Sequence, residues 1–205
     1  MDLYLAILLF ATSTTVTPGP NNIMIMTSGL NYGIKNSVPH LLGICFGFPA
    51  MVLVVGLGFS VVFEQWPLLH QLINLVGVTY LLYLAWLIAN ASPASLERKA
   101  SKPLSFLQAA LFQWVNPKAW VMATGAVSAY TTATASLTPQ VLLITLAFFI
   151  VAFPCVGIWL VFGNSLKKWL TSTKQQKVFN LSMALLLVTS IIPVLVNLLT
   201  EYIGQ

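Results

Sequence analysis

Acidic residues are almost missing from this sequence: Asp2, Glu64, Glu97 and Glu201 are the four in 205 residues, against nine Lys and Arg, so 6% of the chain is charged. Soluble domains carry about a quarter. With 58% of residues apolar, a water-soluble globule would expose far more apolar surface than soluble monomers tolerate, which excludes a soluble domain. Disorder and nucleic-acid binding are excluded too, because both need a density of polar or basic side chains that is absent. Membrane lipid is the surrounding that remains. Cysteine is equally scarce. Cys45 and Cys155 lie inside apolar runs and read as small buried hydrophobes, with no metal-ligand spacing and no redox pair. Neither a metal nor a cofactor is expected. No basic residue precedes the first apolar stretch and no small-residue cleavage site follows it, so the N-terminus reads as part of the mature chain.

What the sequence does have is long apolar runs. A hydrocarbon core of roughly 30 Å takes about 20 helical residues, and six such spans are predicted at 3–30, 38–63, 68–90, 105–130, 140–163 and 178–200. Asn31 with Gly33, Trp66-Pro67, Ser92-Pro93, Thr138-Pro139 and Lys167-Lys168 mark the boundaries. Tyr4, Trp66, Tyr130, Trp169 and Tyr202 fall near span ends, where amphipathic rings suit the interface, although core filling explains any one of them equally well. Short cytoplasmic loops retain Lys and Arg. Lys35 is in loop one, Arg98, Lys99 and Lys102 in loop three, and Lys167, Lys168, Lys174 and Lys177 in loop five. Loops one, three and five are therefore expected in the cytoplasm and both chain ends outside.

Two spans cannot be uninterrupted helix. Thr17-Pro18-Gly19-Pro20-Asn21-Asn22 in the first has two prolines that remove donors and a glycine that lowers helix propensity. Val115-Asn116-Pro117-Lys118 in the fourth places Asn and Pro where a helix cap and first turn prefer them. The interruptions are 99 residues apart, Phe48-Pro49 and Phe153-Pro154 are 105 apart, and Asn74-Leu75 and Asn180-Leu181 are 106 apart. The reading is two three-helix repeats, 1–90 and 105–205, joined by a basic cytoplasmic linker at 91–104. Because three is odd, the second repeat lies inverted relative to the first. The stretches 3–16 and 105–115 are about 21 Å and 17 Å long as helix, which puts both breaks near mid-membrane. Irregular backbone at that depth must be buried in protein or face a watery cavity. Paired interruptions of this kind point to a transporter's substrate site.

These residues also carry a resemblance. The Thr17–Asn22 run, the glycines Gly29, Gly33, Gly43 and Gly47, the stretch Gly77-Val78-Thr79-Tyr80-Leu81-Leu82-Tyr83-Leu84 and Asn116-Pro117-Lys118-Ala119-Trp120, in this order, resemble the LysE/RhtB family of bacterial amino-acid exporters over essentially the whole length. The resemblance implies a six-helix inner-membrane protein that exports amino acids or close derivatives, driven by the proton gradient. The Pro-Gly-Pro-Asn-Asn form and the segment from Tyr83 to Trp86 are most similar to the branch exporting cysteine and O-acetylserine.

The expected substrate-binding residues are Thr17, Pro18, Gly19, Pro20, Asn21, Asn22, Asn116, Pro117 and Lys118. Lys118 is the one cation inside a predicted span, and burying it costs roughly 3 kcal/mol, which makes it a functional candidate. At the start of a half-helix it suits a substrate carboxylate. Two further roles stay open: proton carrier, because burial beside a positive helix end disfavours the charged ammonium, and a purely structural one in which it pairs with backbone carbonyls or snorkels to water and shapes the break. Many members of the resembling family have Asp near Asn21 and Asn22. Here no acid lies inside any span, so a neutral substrate is expected over lysine or arginine, and carboxylate-based proton coupling is placed in doubt. Thr12, Ser13, Thr14, Thr15 and Thr17 either line a polar path or bond back to their own helix. Gly29 with Gly33 and Gly43 with Gly47 read as close helix contacts, Pro49 and Pro154 as kinks, and His40 and His70 as solvated side chains near span ends. Self-association into a homo-oligomer is left open. A channel or accessory subunit, and an intramembrane enzyme, are the rival classes; the enzyme lacks any Gly-x-Ser-x-Gly, His-Glu-x-x-His or buried acid.

Overall fold

The computed structural model describes residues 3–59, 67–90, 102–132 and 135–203. Arg98, Lys99, Trp66 and most of the 91–104 linker lie outside the described residues, as do the side chains of His70 and Asn74. Among the described residues all regular structure is helical: α1 Leu3–Val16, α2 Pro20–Val54 continued by a wide turn at Val55–Phe59, α3 Pro67–Ala89, α4 Phe106–Phe112 with a tight turn at Gln113–Val115, α5 Pro117–Tyr130, α6 Leu137–Leu166 and α7 Thr173–Ile203. Within these residues Pro20–Gly58, Leu137–Leu166 and Thr173–Ile192 are long and apolar enough to cross a membrane, and Leu3–Val16, Leu75–Ala89 and Phe106–Val115 are shorter apolar helices.

The expected loop around residues 31–37 is replaced by a single residue. Helix runs through to Gly33, whose φ of 79° lies where only glycine rests without strain, and resumes at residue 34. The chain reverses there, as its neighbours along α6 show. Trp159 bonds the Val16 carbonyl, Gly163 abuts Met26 and Asn164 lies beside Gly33, whereas Ile44 shares a cluster with Ala152 and Val156 and Phe48 meets Phe148 edge-on at 5.1 Å. The chain up to residue 32 therefore runs parallel to α6, and residues 34–54 run back along it.

The prolines behave differently from one another. Helical dihedrals continue through Pro39 and Pro49, with Gly33 the one departure inside α2. Pro139 falls in the first turn of α6, where a missing N–H breaks no bond, so this helix starts before residue 140.

Glycine makes the closest contacts. A Cβ on Gly163 would collide with the Met26 carbonyl oxygen, and one on Gly29 with the Leu160 carbonyl oxygen, so α2 and α6 touch backbone to backbone. Gly43 and Gly47 meet Phe106 and Ala110 of α4 in the same way. Behind these contacts, Ile7, Phe48, Trp120 and Phe148 form one core cluster, and Met24, Leu81, Phe112 and Leu187 form another where α2, α3, α4 and α7 meet. Cys45 and Cys155 are free and buried. Leu142, Leu146, Ile150, Ile158 and Val161 all point outward from α6, a helix apolar on every side, as lipid contact requires.

Candidate functional site

Between α1 and α2 the chain is extended, with Gly19 at φ −179° and ψ −179°, and Pro20 opens the next helix. Between α4 and α5, Asn116 is extended (φ −88°, ψ 108°); its side chain accepts the Lys118 backbone N–H at 3.2 Å, and Pro117 opens α5. Asn and Pro occupy the positions that cap and start a helix.

A helix that stops inside apolar surroundings leaves its last carbonyls without donors, and each must find one. Three side chains from three different elements supply them for α1. Asn22 Nδ2 donates to the carbonyls of Thr15 and Thr17, both at 2.8 Å, and Trp159 Nε1 donates to the Val16 carbonyl at 3.0 Å. Lys118 Nζ donates to the Thr17 carbonyl at 2.7 Å, the Thr17 hydroxyl at 2.9 Å and the Pro18 carbonyl at 3.2 Å. The ammonium thus crosses from the second interruption to the first and meets the negative end of α1 while standing at the positive end of α5. Gly19 makes the crossing feasible, since a Cβ there would lie 2.6 Å from Lys118 Cδ.

A second bridge joins the same places. Asn21 Nδ2 donates to Gln113 Oε1 at 2.8 Å, Gln113 Nε2 returns a bond to Asn21 Oδ1 at 3.1 Å and also reaches the Ala109 carbonyl at 2.9 Å. Trp120 Nε1 donates to the Trp114 carbonyl at 2.8 Å. The hydroxyls of Ser13, Thr14 and Thr17 bond back to carbonyls three or four residues earlier. Thr15 differs: its buried hydroxyl has no partner.

Thr15, Asn21, Asn22, Asn116 and Lys118 line one cavity together with Ile44, Phe48, Met122 and Val156, around about 410 Å³ of empty space. Apolar walls with a few convergent polar groups are the usual form of a small-molecule site. Among the described residues, none that lines the cavity is acidic. Of the nine residues expected at the site, Gly19, Asn21, Asn22, Asn116 and Lys118 line the cavity, Thr17 and Pro18 hold Lys118, and Pro20 and Pro117 start the two helices. Sequence reasoning missed Gln113 and Trp159. An amide within the apolar stretch 105–115 was a signal for Gln113; nothing local distinguishes Trp159.

Residues 12–196 match the LysE type translocator family. The chain belongs to that family. The match covers both interruptions and every residue of the cavity. Among its relatives, the cysteine/O-acetylserine efflux protein of Salmonella typhi is 39% identical over 106 residues, which is 51% of this chain and 53% of that protein. The protein of the same description from Escherichia coli (strain K12) is 37% identical over 106 residues, with the same coverage. The aligned segment is thus about half the length of the relatives. No solved structure matches the chain. Among the described residues of this LysE-type translocator, no group of three or more His, Cys, Asp or Glu comes together to hold a metal ion.

Proposed function

We propose that this translocator is a secondary carrier exporting a small neutral amino acid or derivative, with cysteine and O-acetylserine as the first candidates, from the bacterial cytoplasm in exchange for protons. The observation that carries the reading is the Lys118 bridge: an ammonium held on the Thr17 and Pro18 oxygens at the wall of a cavity with no acid among its described lining residues. A substrate carboxylate entering the cavity exchanges with the Pro18 carbonyl, the longest of the three contacts, beside the positive end of α5. The amide oxygens of Asn21 and Asn22 and the unpartnered Thr15 hydroxyl receive the substrate's ammonium. Releasing the Pro18 carbonyl loosens the link between the two interruptions, which couples occupancy to movement.

In this reading α1 with residues 20–32 is the first span, residues 34–59 the second, α3 the third, α4 with α5 the fourth, α6 the fifth and α7 the sixth. They form two inverted repeats, 1–90 and 105–205, around the basic linker 91–104. Both termini are external in an inner-membrane protein. The parallel run of α1 and α6 and the reversal at Gly33 support this order. The relatives' description as cysteine/O-acetylserine efflux proteins supports the choice of substrate.

The test is purified protein in liposomes under an imposed proton gradient, loaded in turn with labelled O-acetyl-L-serine, L-cysteine and L-lysine. Saturable flux of the neutral compounds that stops when the gradient is collapsed is the expected result. A preference for lysine, or flux that does not saturate, overturns the reading.

A further inference from the structure

His40 does not sit where the sequence placed it. It is 1% exposed, not solvated at a span end. Its Nδ1 is 3.0 Å from the Ser28 hydroxyl oxygen, and its Nε2 is buried without a partner. Ser28 makes no other hydrogen bond among the described residues; we assign its hydroxyl as the donor to Nδ1, which leaves the ring's own proton on Nε2. An N–H donor is therefore held ready and unused.

His40 lines a cleft with about 570 Å³ of empty space, walled by Met24, Ser28, Leu84, Ile88 and Lys102. Its other polar groups are largely engaged: the Thr27 hydroxyl donates to Ile23 and Asn31 donates to the Thr27 carbonyl. Among the described residues, no acid lines the cleft. An imidazole N–H and the Lys102 ammonium, with no carboxylate among the described lining residues, form a site for an anionic group. The position is informative too. Residues 20–32 of α2 are the shared wall, with Asn21 and Asn22 on the break cavity and Met24, Thr27 and Ser28 on this cleft, Ser28 lying about 10 Å from the two asparagines along the helix. Lys102 belongs to the loop that its charge assigns to the cytoplasm.

We propose that this cleft is a second substrate site, a cytoplasmic loading site in which His40 Nε2–H and Lys102 take the carboxylate of the amino acid before it moves along residues 20–32 to the break cavity. The inference rests on the exporter reading above. Loading and translocation then separate kinetically: loss of His40 weakens capture, and loss of Lys118 stops passage.

The experiment measures labelled O-acetyl-L-serine flux in liposomes for the wild type, His40→Leu, His40→Gln and Lys118→Met, with equilibrium binding of the same compound to each. His40→Leu is expected to raise KM about tenfold, the loss of one good hydrogen bond to a charged group, with turnover within about twofold of wild type. His40→Gln keeps an N–H donor and recovers most of the affinity. Lys118→Met loses turnover and still binds substrate. An unchanged KM in His40→Leu, or turnover falling in step with no rescue by His40→Gln, overturns the loading site alone. If His40→Leu fails to accumulate, no binding by Lys118→Met does the same. Wild-type protein without flux overturns the exporter reading, and the loading site with it.

Discussion

The Lys118 ammonium donates to the Thr17 carbonyl oxygen at 2.7 Å, joining residues 101 apart in the sequence across two helix interruptions. One side chain thereby offsets part of the cost of stopping α1 in an apolar setting and puts a positive charge on the wall of a cavity. In the proposed function the structural and functional roles of Lys118 are one arrangement: the carbonyls hold the ammonium in place until the substrate carboxylate arrives.

Lys118→Met removes that charge while keeping a flexible apolar chain. Efflux from cells is expected to fall at least tenfold at comparable protein level, since a hydrogen bond to a charged group is worth about 1.5–3 kcal/mol and about 1.4 kcal/mol is tenfold. Gly19→Ala is expected to act the same way to a smaller degree, because its methyl would lie 2.6 Å from Lys118 Cδ and 3.0 Å from Nζ. Near-normal efflux by Lys118→Met removes Lys118 from the site.

Asn22 and Asn21 are neighbours with unlike duties. Asn22→Ala leaves the Thr15 carbonyl without its donor and Thr17 with Lys118 alone, a cost of about 1–3 kcal/mol. A melting temperature in detergent lower by about 5 °C is expected, at roughly 2–4 °C per kcal/mol for a chain of this size. Asn21 is half-buried and its partner Gln113 keeps the Ala109 carbonyl, so Asn21→Ala is expected to shift the melt by less than half as much. Equal shifts contradict the assignment.

Gly163→Ala and Gly157→Ala change the same helix by the same methyl. At Gly163 the methyl meets the Met26 backbone, and at Gly157 it meets nothing within 4 Å. The first is expected to reduce the amount of folded protein severalfold and the second to leave it unchanged or slightly raised, as alanine favours helix by about 1 kcal/mol over glycine. Quantitative blotting after mild detergent extraction reads the difference. Equal yields contradict close packing of α2 on α6.

Orientation is tested with a reporter active only in the cytoplasm, fused after Gln205 in one chain and within the loop at Lys168 in another. Activity at Lys168 and silence at the C-terminus are expected. The reverse pattern inverts the topology and moves the cleft at Lys102 to the outside.

Where regular helix stops was legible locally, because Pro-Gly-Pro and Asn-Pro restrict their own backbone: α1 ends at Val16 and α5 opens at Pro117. What satisfies the interrupted backbone was not legible. Trp159 and Val16 are 143 residues apart and Asn21 and Gln113 are 92 apart, so those bonds exist only once the helices pack. Lys118 was found for its cost in lipid, whereas its partners came from geometry. His40 was misplaced because the expected loop at 31–37 is a one-residue reversal at Gly33, and shortening a loop buries the residues that follow it.

The most direct test of the central claim, that substrate crosses at the cavity closed by Lys118, is solute counterflow in liposomes preloaded with unlabelled O-acetyl-L-serine. A transient overshoot of labelled compound by the wild type, saturating with concentration and absent in Lys118→Met, is the predicted result. An overshoot of equal height in Lys118→Met, or no overshoot in the wild type, would contradict it.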